Sequence, residues 1–407
     1  MPRILELTWE YPPRLVGGIA RHVAGLVPGL AAEGFEVVVV TQAPNGERSR
    51  TEESGVTIIR TVASGPSPRD FIEEIHLLNH ALAQEAVAAH GGESFDLIHA
   101  HDWLALFAAR ALKHAWRVPL VATIHATERG RQRGIHNPTQ AFIDQAEWHL
   151  CYEAWRVICC SQAMQAEIHS FFGCPEDKIC VIPNGIDTQR RAPAAPEPQV
   201  RRQLALGADR IVLFVGRLVW EKGLAPLLRA WAEVAREAPE VRLVVVGGGD
   251  QGPWQALARE CGVTDSVTFA GHVDEATLSS LYQMAQSAVM PSLYEPFGIV
   301  ALEAMGSGVP VVGSEVGGLA EVVRQCQGGL LVPPDRPQAL SRALLRVLTD
   351  RQLAGKLAIR GRESVEEIYS WRAIAKRTGA VLEEVLRERA RTQWDDPVHP
   401  AGRNTRH

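Results

Sequence analysis

Ser292-Leu-Tyr-Glu-Pro-Phe-Gly-Ile-Val-Ala-Leu-Glu303 follows an apolar run, Ala288-Val-Met-Pro291, and leads into a helical pattern that begins near Ala301. The run reads as a short buried strand. Glu295 and Glu303 therefore flank a strand-to-helix turn. Pro296 and Gly298 set the turn, with Phe297 between them, and leave the N–H groups of Ile299 and Val300 free at the helix start. Free N–H groups at the positive end of a helix dipole suit a ligand rich in oxygens. Two acids so spaced can reach two parts of one ligand. A lone glutamate would read as a solvated helix end; the rest of the chain argues for the ligand.

Working outward, apolar β-rich runs alternate with helical patterns along nearly the whole length. In the first half, strands are expected at 4–8, 37–41, 56–61, 97–101, 120–125, 157–161 and 179–183. Helical patterns cover 20–33, 71–89, 103–115 and 138–154. The second half repeats the alternation, with strands at 211–215, 242–246, 267–270, 287–290, 309–313 and 329–332. Continuous apolar strands separated by helices predict an α/β fold of parallel, doubly wound sheets. Two such domains are expected, at 1–187 and 206–370. The segment 188–205 between them is rich in Pro, Ala and Arg and reads as a linker. Three more helices follow, at 337–349, 351–368 and 371–389, and 391–407 reads as a disordered tail. Ligands of open α/β sheets bind at the carboxyl ends of strands, so two facing domains would enclose one deep cleft.

Composition narrows the function classes. The chain has 407 residues, 46% of them hydrophobic and 22% charged, which is globular. A net charge of −5 gives no general attraction to nucleic acid. No apolar run approaches the roughly 20 residues of a membrane span, and the N-terminus reads as a first strand rather than a signal peptide. The seven cysteines are scattered with no CxxC pair, which points to reduced cytoplasmic thiols and argues against a zinc site.

Several loops after strands carry candidate chemistry. Trp9-Glu-Tyr-Pro-Pro-Arg-Leu-Val-Gly-Gly-Ile-Ala-Arg-His22 places Gly17 and Gly18 before the first helix, where they permit close backbone approach to a phosphate. His101 and Asp102 follow one strand and His125 follows another, on the cleft side. Three polar groups at two strand ends favour a polyhydroxyl ligand over three structural residues. Val215-Gly-Arg-Leu-Val-Trp-Glu-Lys-Gly223 puts Arg217 and Lys222 on a loop that Gly216 opens. Two fixed cations there can hold a diphosphate and stabilise its departing charge. No DxD motif supplies a metal, so these side chains provide the counter-charge. Val246-Gly-Gly-Gly-Asp-Gln-Gly252 contains GxGxxG, the dinucleotide fingerprint. No ribose-binding acid follows at the next strand, and Gly248 fits better in a loop close to a nucleotide. Arg129-Gly-Arg-Gln-Arg-Gly134 reads as a solvated basic loop, with a mobile lid as the alternative.

Together these residues resemble the GT-B glycosyltransferases of family 4, specifically their glycogen-synthase-like members. The resemblance spans residues 1 to about 390. Its motifs are the glycine pair, HDW, TIH, GRL-x-x-EKG, E-x7-E and NGID, each weak alone and specific in this order. It implies that Arg217 and Lys222 bind the donor diphosphate, Glu295 lies beside the donor sugar and Glu303 grips the nucleotide ribose. His125 would approach the donor sugar and Gly18 the phosphate. Asp102, with His101 and Asn184, would lie near the sugar or acceptor. The resemblance further implies a retaining reaction without metal or other cofactor, and a helix at 371–390 that crosses back onto the first domain. The stretch Arg14-Leu-Val-Gly-Gly-Ile19 departs from the KxGGL loop of related bacterial glycogen synthases and leaves the donor nucleotide open.

The expected function is transfer of glucose from ADP-glucose or UDP-glucose to an α-1,4-glucan. The alternative within the family is another donor, such as GDP-mannose, with a lipid or small-sugar acceptor. Two readings of other classes stand further off: an NAD-dependent oxidoreductase, resting on GxGxxG alone, and a catalytically silent sugar-nucleotide sensor.

Overall fold

The β-branched runs of both halves form parallel sheets covered by helices on both faces. The computed structural model describes residues 1–91, 94–187, 198–204, 206, 210–392 and 394. The first sheet contains β1 (Arg3–Leu7), β2 (Glu36–Gln42), β3 (Ser49–Glu53), β4 (Val56–Thr61), β5 (Leu97–His101), β6 (Leu120–Ile124), β7 (Arg156–Cys159) and β8 (Ile179–Val181). Their spatial order is β3-β4-β2-β1-β5-β6-β7-β8. The second contains β9 (Arg210–Val215), β10 (Val241–Val246), β11 (Val267–Gly271), β12 (Ala285–Met290), β13 (Val311–Ser314) and β14 (Gly329–Val332), in the order β11-β10-β9-β12-β13-β14.

Strand order reverses beside β1 in one sheet and beside β9 in the other. In β1, Leu5 faces Val38 of β2 on one side and Ile98 of β5 on the other. In the second sheet β9 pairs with both β10 and β12. A crevice opens outside the carboxyl ends of strands at such a reversal. The loops after β1, β9 and β12 are those that carry the glycine pair, Arg217 with Lys222, and Glu295.

One strand is absent from the expectations. β3 pairs antiparallel with β4 at the edge, and all five of its residues, Ser-Arg-Thr-Glu-Glu, are exposed. Charge protects an edge from pairing with other chains and also erases the apolar signal of a strand. The expected linker differs too: Pro198–Gln203 is a helix, whereas 188–197 lie outside the described residues. Apart from 391, 392 and 394, the expected disordered tail also lies outside them.

The helix Trp371–Arg389 packs on the first half. Ile374, Leu382 and Val385 join the apolar layer formed by Val23, Leu26 and Leu30 of the helix Gly18–Ala32. Glycines make the approach close. A Cβ on Gly25 would lie 2.0 Å from the Trp371 ring, and one on Gly29 2.4 Å from the Ala375 Cβ.

Candidate active site

Among the described residues, seven helices are capped by a side chain of Asp70, Thr127, Asn137, Ser161, Asp274, Asp350 or Ser370. The helices Gly18–Ala32 and Ile299–Gly306 instead start from Gly17 and Gly298 with no side-chain cap. Their first N–H groups are left for a ligand. The two starts face each other: a Cβ on Gly18 would come within 3.4 Å of Ile299 Cδ1. The glycine loop is held from behind by Glu10, a buried carboxylate that accepts from the N–H of Val16 and of Gly17, the latter at 2.8 Å.

On the second half, Lys222 Nζ lies 2.6 Å from Glu295 Oε2, and Ser292 donates to the same oxygen at 3.3 Å. Arg217 lies 3.2 Å from Glu221 Oε1, with half of its side chain exposed. The chain turns sharply here. Gly223 has φ 71°, and a Cβ on it would lie 1.9 Å from the Pro291 carbonyl oxygen. The Gly317-Gly318 pair supports the opposite side: Gly318 N–H donates to the Glu295 carbonyl at 3.0 Å, and a Cβ on Gly317 would clash with that oxygen. Phe297 is buried in the core, so only its backbone is offered to a ligand. Gly247, rather than Gly248, is sterically required in the GxGxxG loop. A Cβ there would meet the Gly216 carbonyl oxygen at 1.8 Å, whereas Gly248 has open space around it.

Glu303 is buried and already engaged. Its Oε1 accepts from Arg21 at 2.7 Å, and its Oε2 accepts from Tyr282 OH at 3.0 Å. Arg21 also reaches Glu275 at 2.8 Å, so one guanidinium of the first helix ties to two carboxylates of the second half.

On the first half, the strand ends carry a polar network. Buried Glu6, in the middle of β1, accepts from His101 Nε2 at 2.9 Å and pairs with His99 Nδ1 at 3.0 Å. Burial alone would raise the Glu6 carboxyl, but His99 and His101 hold it down at about 2. His99 Nε2 accepts from Thr123 Oγ1 at 2.7 Å. His101 is fully buried and lies behind His125, which it meets at 3.2 Å; the expected place on the cleft surface belongs to His125. Burial pushes His125 well below the usual histidine range, so it is neutral. Asn184 accepts from His22 Nδ1 at 2.7 Å, so its oxygen already holds a partner within the protein.

Asp102 occupies a backbone region that only glycine adopts freely, with φ 58° and ψ 172°. Its carboxylate accepts from the His125 N–H at 2.7 Å. Burial raises its carboxyl to about 7, against the lowering effect of that bond. A strained, buried acid at a strand end is a candidate functional position.

The basic stretch is pinned by neighbouring groups rather than being a free loop, although Arg133 is exposed. Glu128–Gln132 forms a short helix, started by Thr127 and by Glu147, whose carboxylate accepts from the Glu128 N–H at 2.9 and 3.0 Å. Arg129 forks onto Asp144, Arg131 pairs with Glu128, and Arg133 lies over Trp220 of the other half at 4.6 Å. Arg129, Arg133, Glu167, Phe171 and Tyr294 line a cavity of about 520 Å³ where the halves meet. Tyr294 OH contacts Glu167 at 3.3 Å, and Ser161 Oγ donates to the Pro296 carbonyl at 2.7 Å.

Sequence reasoning passed over Glu6, His99, Glu10, His22 and Arg21. The signal for the first two was present: charged or imidazole side chains inside central parallel strands, where apolar residues are the rule. Arg21 carried no such signal, because its partners lie more than 250 residues away.

Two doubly wound sheets meeting at their strand ends, with cations and open helix starts gathered there, define a GT-B glycosyltransferase. Residues 16–190 match the family model described as Glycosyltransferase Family 4, and residues 197–364 match Glycosyl transferases group 1. An uncharacterized glycosyltransferase of Methanocaldococcus jannaschii is 37% identical over 92% of this chain and 96% of its own. The glycogen synthase of Mycobacterium tuberculosis is 35% identical over 93% and 94% respectively. Among solved structures, a sucrose-phosphate synthase from Thermosynechococcus elongatus superposes with a TM-score of 0.81 at 30% identity, covering 95% of this chain and all of that one. The chain belongs to the family 4 glycosyltransferases and is glycogen-synthase-like. The oxidoreductase reading falls with that assignment. No helix among the described residues is long and apolar enough to cross a membrane.

Proposed function

We propose that the protein is a retaining glucosyltransferase that moves glucose from a nucleoside diphosphate glucose to the non-reducing 4-hydroxyl of an α-1,4-glucan. The observation that carries this reading is the approach of Lys222 to Glu295 at 2.6 Å beside the open helix start at Gly298. A cation for the diphosphate and a carboxylate for the sugar stand side by side. The relative named glycogen synthase supports the glucan acceptor.

In this reading residues 206–370 hold the donor and residues 1–187 present the acceptor. The diphosphate lies between the helix starts at Gly18 and Ile299, and draws Arg217 and Lys222 from their carboxylate partners. Gly216 and Gly248 leave room for the nucleotide, and Glu303 accepts from the ribose. The acceptor oxygen bonds to C1 of glucose on the face from which the diphosphate leaves. The C1–O bond breaks, and the acceptor proton passes to the leaving phosphate oxygen. No protein base is then required. Glu295 stabilises positive charge at the sugar ring, His125 contacts the donor sugar, and Asp102 orients sugar or acceptor hydroxyls. Closure excludes water and suppresses hydrolysis. The counter-charge comes from Arg217 and Lys222, so turnover needs no metal. The seven cysteines are all free, which fits a reducing compartment such as the cytoplasm.

The test is nucleotide release with glycogen or maltooligosaccharides, comparing ADP-glucose, UDP-glucose and GDP-mannose in the presence of EDTA. Release with a glucose donor, and products longer by one α-1,4-linked hexose, is the expected result. Release with GDP-mannose alone, or only with a lipid or small-sugar acceptor, would move the protein to another pathway. Binding without turnover on every acceptor would make it a sensor.

A further inference from the structure

The histidines behind the candidate donor site are arranged to do more than hold His125 in place. His22, His101 and His125 each bring a ring nitrogen to within 4.8 Å of the others. Hydrogen-bond chemistry decides which nitrogens are bare. Asn184 Oδ1 can only accept, so His22 carries its proton on Nδ1, and Nε2 presents a lone pair. That Nε2 is buried and has no hydrogen-bond partner among the described residues. Glu6 accepts from His101 Nε2, which leaves the lone pair of His101 on Nδ1. This nitrogen faces His125 Nε2 at 3.2 Å. Two lone pairs held in place from behind, with a third imidazole able to turn its own toward them, form a donor set for a cation.

We propose that His22 Nε2, His101 Nδ1 and His125 Nε2 form an inhibitory site for a borderline divalent transition metal such as Zn²⁺. Imidazole suits zinc, with Zn–N distances of about 2.0–2.1 Å, so nitrogens about 3.4 Å apart serve a tetrahedral ion. The outer partners are those that metal-binding histidines ordinarily have: Glu6 on His101 and Asn184 on His22. Glu6 supplies a buried negative charge to offset the ion. His22 and His101 are buried, whereas His125 is partly exposed, so the ion enters from the cleft and its fourth position faces it. The scattered cysteines argued against a zinc site; this site uses a different donor set, which the crossing of β1, β5, β6 and the first helix assembles. Coordination takes His125 Nε2 away from the donor sugar. That consequence for turnover rests on the proposed function, but the site itself does not.

The full chain is titrated with Co²⁺, whose visible absorption reports four-coordinate nitrogen ligation, and Zn²⁺ is then added as competitor. One equivalent with intense visible bands, displaced by Zn²⁺ and lost in both His22→Gln and His101→Gln, is expected. A spectrum that stays that of the aqueous ion, or bands that survive both substitutions, overturns the site. Zinc K-edge absorption of the unsubstituted chain needs no variant to fold, and fewer than three imidazole ligands there also overturns it. In the nucleotide-release assay, saturating Zn²⁺ should lower turnover at least tenfold, EDTA should restore it, and His22→Gln should escape. Bands without any measurable sugar transfer would leave the metal site standing and sink the proposed function instead.

Discussion

Two residues at the strand ends make separable predictions. Arg217 is half exposed and weakly held by Glu221, so it is available to a diphosphate. Arg217→Ala should lower kcat by about 10²–10³-fold, the usual loss when one charge-stabilising group is removed, with a smaller change in donor KM. Steady-state nucleotide release measures this, and unchanged turnover would remove Arg217 from the mechanism. Asp102 tests the first half. Its carboxyl is raised to about 7 from an ordinary value near 3.8. Between those values the folded chain keeps a proton that the unfolded chain has released, so stability falls as pH rises from about 4 to about 7. Asn cannot ionise, can keep the bond from the His125 N–H, and tolerates positive φ. The thermal midpoint of Asp102→Asn should therefore gain on that of the unsubstituted protein across this range and then run parallel to it. A constant difference from pH 4 to 8 would show that Asp102 is charged throughout.

At the scale of the element, glycine has opposite meanings in two helices. On the helix Gly18–Ala32, a Cβ at Gly29 would overlap Ala375, whereas Gly355, on the helix Arg351–Ile368, has nothing within 4 Å. Gly355→Ala should stabilise by up to about 1 kcal/mol through helix propensity alone. Gly29→Ala should destabilise by about 1–3 kcal/mol, because overpacking outweighs the same propensity gain. Urea midpoints of the two variants should move in opposite directions; equal shifts would mean that Trp371–Arg389 is not seated on the first helix. Elements were also where the sequence was most readable. The helices Pro337–Thr349, Arg351–Ile368 and Trp371–Arg389 lie where their apolar spacing puts them. The edge strand β3 was unreadable, because an exposed charged strand carries no alternation of apolar residues.

At the scale of the whole molecule, the halves are joined by Arg21 across to Glu303 and Glu275. Glu303 is almost wholly buried, so this contact is more than a screened surface pair. Arg21 and Tyr282 hold both oxygens, so in the proposed function the carboxylate would be oriented for the ribose before the donor arrives. Arg21→Ala should therefore raise donor KM about tenfold or more, with kcat less affected. Without donor, the variant should also be more open, with a larger radius of gyration in small-angle scattering. An unchanged radius together with unchanged KM would reduce the bridge to a passive contact.

The sequence by itself determined the α/β class, the two doubly wound sheets and the loops that carry Gly17, Gly18, Arg217, Lys222, Glu295 and Glu303. These follow from local signals: continuous apolar strands, glycines at strand ends, and the spacing of charged residues within one loop. Only the tertiary structure decided which groups meet. It put His101 behind His125, paired Asn184 with His22, pinned the basic stretch after Thr127, and linked Arg21 to Glu303. Such pairings depend on strand order and on the docking of helices far apart in the chain. No period or spacing along the sequence encodes them, because a buried polar group is satisfied by whichever partner the fold brings within hydrogen-bond distance.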